Sequence, residues 1–170
     1  GLQETDVPFP SGIYGLTKLQ GEQAIEAVWE KHFIIRTSWV YSQFGSNFLK
    51  TMLRLASERT SLSVVSDQIG TPTYAVDLAE VLLKIVTSKT KTFGIYNFSN
   101  EGQCSWYDFA HEIFLQKDIT IDLQAISTKL YPTPAKRPAY SVLDKSKIKA
   151  TFGVNINDWK TSLNNCLKHY

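Results

Sequence analysis

Two spacings of apolar residues alternate along the chain and predict helices interleaved with strands. Apolar positions recur at helical spacing in six segments: about 12–31, 48–56, 75–87, 105–115, 144–152 and 157–169. Runs of β-branched and aromatic residues predict strands at Phe33–Tyr41, Leu62–Val65 and Phe93–Phe98. The first run is unbroken, as in a strand buried on both faces of a parallel sheet. Ile119–Leu123 alternates like a strand with one solvent-facing side. This order indicates an α/β domain.

Capping residues and one glycine refine the helices. Ser11 and Ser105 are predicted N-caps, and Asp108 stands at the third position of its helix, near the positive end of the dipole. Gly21 costs about 1 kcal/mol in a helix interior. We therefore expect its face of the first helix to pack closely against another element.

Two segments are predicted to lack regular structure. Gln68–Thr73 reads as a loop or an edge segment, because Pro72 cannot donate to a β-ladder. Thr128–Pro138 contains three prolines and is predicted to be irregular.

The composition fits one folded domain and excludes several classes of protein. Hydrophobic residues make up 43% of the 170 residues, and the net charge is only +2 with scattered basic residues, which does not suggest a nucleic-acid partner. No apolar run approaches the roughly 20 residues of a membrane span, and no signal-peptide pattern follows Gly1. Cys104 and Cys166 lack the spacing of a metal site or a disulfide framework. We expect a cytoplasmic protein with free thiols and no metal.

The strongest candidate for chemistry is the pair Tyr14 and Lys18. Residues four apart lie on the same side of a helix, so their head groups can reach one site. An adjacent ammonium stabilises a phenolate and thus helps a tyrosine to transfer a proton. Such a pair suits reduction of a carbonyl, with the proton from tyrosine and a hydride from a nicotinamide. The alternative is a half-buried aromatic ring beside a solvated lysine.

Further blocks accompany this pair, and together they carry a resemblance. They are Gly21-Glu22, Arg36-Thr-Ser-Trp-Val-Tyr41, Asn47-Phe-Leu-Lys-Thr-Met52, Asp67-Gln-Ile-Gly-Thr-Pro-Thr73 and Arg137-Pro-x-Tyr-Ser-x-Leu-Asp144. The chain resembles the extended short-chain dehydrogenase/reductases, and among them the dTDP-4-dehydrorhamnose reductases, from about residue 10 to residue 145. The Tyr/Lys pair indicates only the superfamily, and the later blocks make the match specific.

The resemblance implies a reaction and a cofactor. Tyr14 would protonate the C4 carbonyl oxygen of dTDP-4-dehydro-L-rhamnose, and Lys18 would stabilise the phenolate and bind the nicotinamide ribose of NADPH or NADH. Both residues would thus also contact the cofactor. The product would be dTDP-L-rhamnose for polysaccharide biosynthesis, and the partner is a dTDP-sugar; a homodimer is compatible with this reading.

The resemblance also implies how the chain is divided. The family's Gly-x-Gly-x-x-Gly turn and Ser/Thr catalytic partner precede the tyrosine and are absent here. We expect the C-terminal part of a Rossmann-like reductase, inactive by itself. Residues from about 1 to 60 would be the remainder of the dinucleotide-binding fold. Residues from about 61 to 170 would be mainly the substrate-binding region, with one Rossmann strand near 93–98.

Several other residues are candidates for binding. Trp39 follows the predicted parallel strand, at the sheet edge where ligands bind, and could pack on a sugar or simply fill the core. Ser38 and Val40 flank it and could offer backbone groups to the nicotinamide carboxamide. Asn47 opens a helix whose free N–H groups suit a diphosphate, although a plain N-cap explains it equally well.

Two more candidate sites lie in loops. Gln68 and Thr71 belong to the segment in which the family binds the sugar nucleotide. Arg137 could bind a phosphate or a structural carboxylate.

Two alternatives to a reductase remain open. One is a non-catalytic regulatory subunit of the same fold, against which the presence of both Tyr14 and Lys18 speaks. The other is a sugar-nucleotide epimerase or dehydratase, which would retain its nicotinamide through the cycle instead of consuming NADPH.

Overall fold

A computed structural model describes residues 1–131, 133 and 137–170 of the chain. The helices are α1 (Ile13–Val28), α2 (Phe48–Glu58), α3 (Ala75–Thr87), α4 (Trp106–Gln116), α5 (Ser146–Phe152) and α6 (Trp159–Leu167), with a 3-10 helix at Thr128–Leu130. The strands are β1 (Phe33–Arg36), β2 (Val40–Tyr41), β3 (Ser61–Val65), β4 (Ile69–Gly70), β5 (Thr73–Tyr74), β6 (Gly94–Asn97), β7 (Cys104–Ser105) and β8 (Asp122–Ile126).

The predicted α/β class is confirmed by the pairing of these strands. β1 pairs with β6, β2 with β5 and β3 with β8, each in parallel, whereas β4 and β7 are antiparallel. Parallel neighbours require crossover connections, and helices provide several of them. The C-terminal end of β1 therefore lies at the sheet edge where α/β proteins bind ligands.

Two apolar clusters hold the described residues together. One packs α2, α4 and α6 around β3, with Leu49, Phe109 and Leu163 fully buried. The other packs α3 and α5 on β6, with Tyr96 and Ile148 fully buried. Helix α1 contributes no buried residue to either cluster. It is held instead by Arg36 at the end of β1, whose guanidinium donates from Nε and Nη2 to the Glu22 carboxylate at 2.7 to 3.1 Å.

The predicted strand at Phe33–Tyr41 is interrupted. β1 ends at Arg36, and Trp39 adopts a φ of +47°, a left-handed conformation that lies outside the β region. The prediction of burial on both faces was also wrong, because all four residues of β1 are only half-buried. In the described residues β1 has a single neighbouring strand, so it is not enclosed within a wider sheet.

Two expectations for α1 were wrong. Gly12, not Ser11, occupies the N-cap, in an extended conformation. A Cβ atom added to Gly21 would meet nothing within 4 Å, so the close approach predicted for this glycine does not exist among the described residues. In contrast, the Ser105 cap is confirmed, and Asp108 completes a capping box with it.

The structure gives more detail for three other predicted segments. The strand expected at Ile119–Leu123 forms three residues later, because its ladder with β3 begins at the pair Ser61 and Asp122. Gln68–Thr73, predicted to be a loop or an edge segment, contains the short strand β4 and the first residue of β5. Thr128–Leu130 forms a 3-10 turn within the segment predicted to be irregular. Pro132 and residues 134–136 lie outside the described residues.

Candidate functional site

The Tyr14 and Lys18 side chains lie together on the first turns of α1. The Lys18 ammonium stands over the Tyr14 ring, 5.5 Å from its centroid. Both residues are exposed, with Tyr14 at 77%. The pair thus has the geometry that its spacing predicts, and a ligand can reach both head groups.

A cavity of about 690 Å³ opens beside α2, β3 and the segment after β8. Its apolar wall includes Phe48, Leu55 and Trp106, and Arg59 and Arg137 also line it. None of the described lining residues is acidic. A volume of this size holds a ligand as large as a nucleotide, and two guanidinium groups without a nearby carboxylate in the wall favour an anionic one.

Trp39 stacks on Trp106, which lines this cavity. The two ring centroids are 3.5 Å apart and the planes are 11° from parallel. The left-handed backbone of Trp39 costs about 1–3 kcal/mol and persists because neighbouring contacts hold it. The Trp39 carbonyl accepts from Thr73 N at 3.1 Å. Trp39 also packs against the first apolar cluster, so it fills part of the core and remains partly exposed.

Ser38 and Val40 lie on either side of Trp39. The Ser38 hydroxyl donates to the Thr71 carbonyl at 3.0 Å, and Val40 pairs with Thr73 in the β2–β5 ladder. These contacts fix the backbone beside Trp39. The proposed contacts with a nicotinamide carboxamide stay predictions.

The N-cap interpretation of Asn47 is confirmed. Its side-chain oxygen accepts from Lys50 N at 3.1 Å, and its amide donates to the Ser42 and Phe44 carbonyls at 2.7 and 3.2 Å. These three hydrogen bonds occupy the side chain in shaping the turn before α2. Its role with a diphosphate stays a prediction.

Gln68 and Thr71 occupy different environments. Gln68 lines the cavity, and its amide donates to the Thr128 hydroxyl at 3.0 Å. Thr71 is completely buried and does not line the cavity; its hydroxyl donates to the Gly102 carbonyl at 2.8 Å. The structure thus places Gln68 where a ligand could meet it and assigns Thr71 a structural hydrogen bond.

Arg137 lines the cavity and lies over the Trp106 ring, with 5.7 Å between the guanidinium carbon and the ring centroid. The structure thereby brings Arg137 and Gln68 to one cavity. Tyr14, Lys18, Ser38, Trp39, Val40 and Asn47 are not among the residues that line it.

Trp106 and Arg59 line the cavity, but the sequence did not identify them as candidate site residues. Trp106 begins α4 directly after the Ser105 cap, and Arg59 is the C-cap of α2. A tryptophan at a helix start gives no signal of function in the sequence, because only the fold brings it to Trp39. Arg59 likewise resembled an ordinary basic residue at a helix end.

Thiol and metal chemistry find no support among the described residues. Burial raises the pKa of Cys166 to about 11 and also raises that of Cys104, so both thiols stay protonated at neutral pH. No group of three or more His, Cys, Asp or Glu side chains in the described part of the chain could hold a metal ion. The helices in this part are all too short or too polar to cross a membrane.

Comparisons with known proteins agree with this architecture. The chain is 45% identical to the dTDP-4-dehydrorhamnose reductase of Aggregatibacter actinomycetemcomitans over 96% of its own length and 59% of that protein. A Bacillus anthracis dTDP-4-dehydrorhamnose reductase, crystallised in complex with NADP, is 38% identical with a TM-score of 0.92, over 98% of this chain and 58% of that one. The Clostridium acetobutylicum orthologue is 42% identical with a TM-score of 0.94, over 99% and 59%.

The parallel β1–β6 ladder and these structural likenesses define an α/β protein with a Rossmann-type fold. The family described as RmlD substrate binding domain matches residues 1–170, and the chain belongs to that family. It spans between one half and two thirds of the length of the relatives compared above.

Proposed function

We propose that the chain is the C-terminal part of an NADPH-dependent reductase that converts dTDP-4-dehydro-L-rhamnose to dTDP-L-rhamnose. The observation that carries this proposal is the Tyr14–Lys18 pair, whose ammonium lies 5.5 Å from the phenol ring on an exposed helix face. By "complete reductase" we mean this chain joined to the further length that its relatives have. The chain alone is expected to be inactive.

The proposed chemistry divides between the chain and the cofactor. Tyr14 donates its phenolic proton to the C4 oxygen of the sugar, and the charge of Lys18 stabilises the phenolate that remains. NADPH, when bound, supplies the hydride. The exposed ammonium of Lys18 has donors that suit a ribose hydroxyl, and the backbone at Ser38 and Val40 is fixed beside Trp39. The reductase compared above that was crystallised with NADP supports the choice of NADPH over NADH.

The cavity suits the nucleotide end of this substrate. Arg59 and Arg137 can bind a diphosphate, and the apolar wall around Phe48 and Leu55 suits a base. Gln68 supplies a polar group in the same wall. Trp39 would then pack against the sugar, and Asn47 would shape the turn before α2. Thr71, which is completely buried, would stabilise the fold.

The division of the chain belongs to the same proposal. Residues from about 1 to 60 would complete the dinucleotide-binding fold, and residues from about 61 to 170 would form mainly the substrate-binding region. The β1–β6 ladder supports placing the strand Gly94–Asn97 with the first part. The buried, free thiols of Cys104 and Cys166 are compatible with the reducing cytoplasm, where we place the reaction.

Substitution of Tyr14 by Phe in the complete reductase tests the proposal. Loss of the proton donor is expected to lower kcat by at least about 10²-fold, the usual scale for one general acid. The affinity for NADPH should hardly change, because the ring and Lys18 remain. Steady-state oxidation of NADPH with the 4-keto sugar nucleotide, together with fluorescence titration of NADPH, measures both quantities.

Tyr107→Phe is the matched control, since this tyrosine lies on α4 against His111 and does not line the cavity. It should leave kcat unchanged. Wild-type turnover by Tyr14→Phe would reject the assignment of Tyr14. Absence of net NADPH oxidation by the wild-type complete reductase would instead favour an epimerase, a dehydratase or a regulatory subunit.

A further inference from the structure

Trp106 and Trp39 form an unusually close aromatic contact. Their ring centroids are 3.5 Å apart, which equals the contact distance of carbon atoms, and the planes differ by 11°. Two nearly parallel rings at this separation have almost no lateral offset. One face of the Trp39 indole is therefore covered by Trp106.

Gly70 confines the same indole from another side. A Cβ atom at position 70 would lie 2.5 Å from Cε2 and 2.6 Å from Cζ2 of Trp39. Any larger residue would collide with the ring, so only glycine leaves it in place. The Trp39 backbone is held as well, because its carbonyl accepts a hydrogen bond from Thr73 N that helps to maintain the left-handed φ of +47°.

Trp106 is itself held firmly. It begins α4, and the capping box of Ser105 and Asp108 fixes that helix end. The Phe48 ring lies 4.7 Å away between centroids, and the Arg137 guanidinium carbon lies 5.7 Å from the Trp106 centroid. Trp106 therefore contacts both Arg137 in the wall of the cavity and Trp39, which follows β1.

We propose that Trp106 is a positioning residue, which together with Gly70 locks the Trp39 indole in the orientation that receives the sugar of the nucleotide-sugar substrate. This inference rests on the proposed function and extends it, since Trp106 acts through Trp39. Removal of Trp106 frees the Trp39 ring to rotate, so the sugar loses the ring face against which it packs. Proton transfer by Tyr14 and binding of NADPH continue.

Kinetics of the complete reductase test the functional part. Trp106→Ala is expected to raise KM for the sugar nucleotide about tenfold, which corresponds to about 1.4 kcal/mol, with little change in kcat or in KM for NADPH. Trp106→Phe retains an aromatic face and should stay within about threefold of wild type. Trp29→Ala, which removes an exposed indole that does not line the cavity, is the control and should leave both KM values unchanged.

A double-mutant cycle separates positioning from direct contact. If Trp106 acts only through Trp39, then Trp106→Ala has no further effect on KM in a Trp39→Ala background. Additive effects of the two substitutions would mean that Trp106 contacts the substrate by itself, and this would overturn the proposal.

Fluorine NMR tests the geometric part without any ligand. With 5-fluorotryptophan incorporated, the Trp39 resonance should shift in Trp106→Ala and in Gly70→Ala, because the ring current of Trp106 acts on it at 3.5 Å. The Trp29 resonance should stay in place. An unmoved Trp39 resonance would overturn the proposal whatever the enzyme does.

The two proposals can fail separately. A wild-type complete reductase that oxidises no NADPH refutes the reductase function, and the Trp106 effect is then measured as the affinity for dTDP-L-rhamnose by calorimetry. Weaker binding by Trp106→Ala, together with the shifted Trp39 resonance, supports positioning. Absence of binding by the wild type refutes both.

Discussion

Thr71 is a polar side chain in a predicted binding segment whose hydrogen-bonding capacity serves the fold. Its hydroxyl donates to the carbonyl of Gly102, a glycine with a φ of +84°, and the side chain has no exposed surface. The Thr71 carbonyl in turn accepts from Ser38. Sequence alone could not distinguish this role from substrate binding, because a threonine in a turn looks the same in both cases.

Substitution of Thr71 by Val is therefore expected to reduce stability and leave substrate binding alone. Valine has nearly the same shape but leaves the Gly102 carbonyl without this donor, which costs about 1–3 kcal/mol for a buried group. Urea denaturation of the chain should show this loss of unfolding free energy. In the complete reductase, KM for the sugar nucleotide should remain near wild type.

Thr120→Val is the control for this substitution, because Thr120 is exposed and its replacement should change stability by less than about 0.5 kcal/mol. A large rise in KM for Thr71→Val with unchanged stability would restore Thr71 to the substrate site.

At the level of elements, local signals were predictable and long-range ones were not. The Ser105 cap, with Asp108 three residues later, lies within one helical turn, so the sequence contains all of that information. The break at Trp39 depends on Thr73, and the position of β8 depends on its ladder with Ser61 in β3. Both involve residues more than 30 positions apart, which periodicity cannot relate to each other.

Glu101 joins α5 and α6 through its charge and its backbone. Its carboxylate contacts Lys149 at 2.7 Å and the buried Lys145 at 3.5 Å, at either end of the first turn of α5. Its carbonyl accepts from Trp159 N at the start of α6. Burial by itself raises the pKa of Glu101, but the hydrogen bond from Lys149 and the charges of both lysines outweigh it, so the pKa lies below its ordinary value of 4.5.

This lowered pKa predicts how stability depends on pH. Because the folded state favours the ionised carboxylate, the contribution is present above pH 4.5 and is lost as the pH falls through the lower folded value. Glu101→Gln should cost about 1–2 kcal/mol at pH 7, since it leaves Lys145 buried without its anion. The difference from wild type should shrink below about pH 4. Urea denaturation across this pH range measures it.

The matched control is Glu58→Gln on α2. Its ion pair with Arg54 is an exposed one, so the substitution should cost less than about 0.5 kcal/mol at any pH. Equal costs for the two substitutions, or a Glu101 effect that persists unchanged in acid, would contradict the account of Glu101.

Across the whole molecule, the two parts of the candidate site, the cavity and the Tyr14–Lys18 pair, differ in how tightly the surrounding residues pack. The cavity lies against a packed cluster, whereas the helix with Tyr14 and Lys18 has no buried residue. Ile13 and Val28 on this helix are about 80% exposed, and Phe9 before it is 95% exposed. A contiguous exposed apolar surface is typical of an interaction site. The pattern of the sequence predicted the helix correctly but could not show that its apolar residues remain exposed among the described residues.

Because α1 has no buried residue, we expect its stability to depend on the additional residues that the relatives have. In the chain alone, amide hydrogens of α1 should exchange at least about tenfold faster than those of α4, because α4 contributes five buried residues and α1 none. In the complete reductase, protection of α1 should rise by at least about tenfold while α4 changes little. Hydrogen exchange followed by mass spectrometry measures both helices in one experiment.

The Glu22–Arg36 ion pair provides the internal check on this prediction. It is the half-buried contact that ties α1 to β1, so Glu22→Gln should accelerate exchange in α1 and leave α4 unaffected in the chain alone. In the complete reductase the same substitution should matter less, because apolar contacts then hold the helix too. Equal protection of α1 and α4 in the chain alone would show that α1 is stable without a covering structure, and the presentation of Tyr14 and Lys18 would then be a property of this chain by itself.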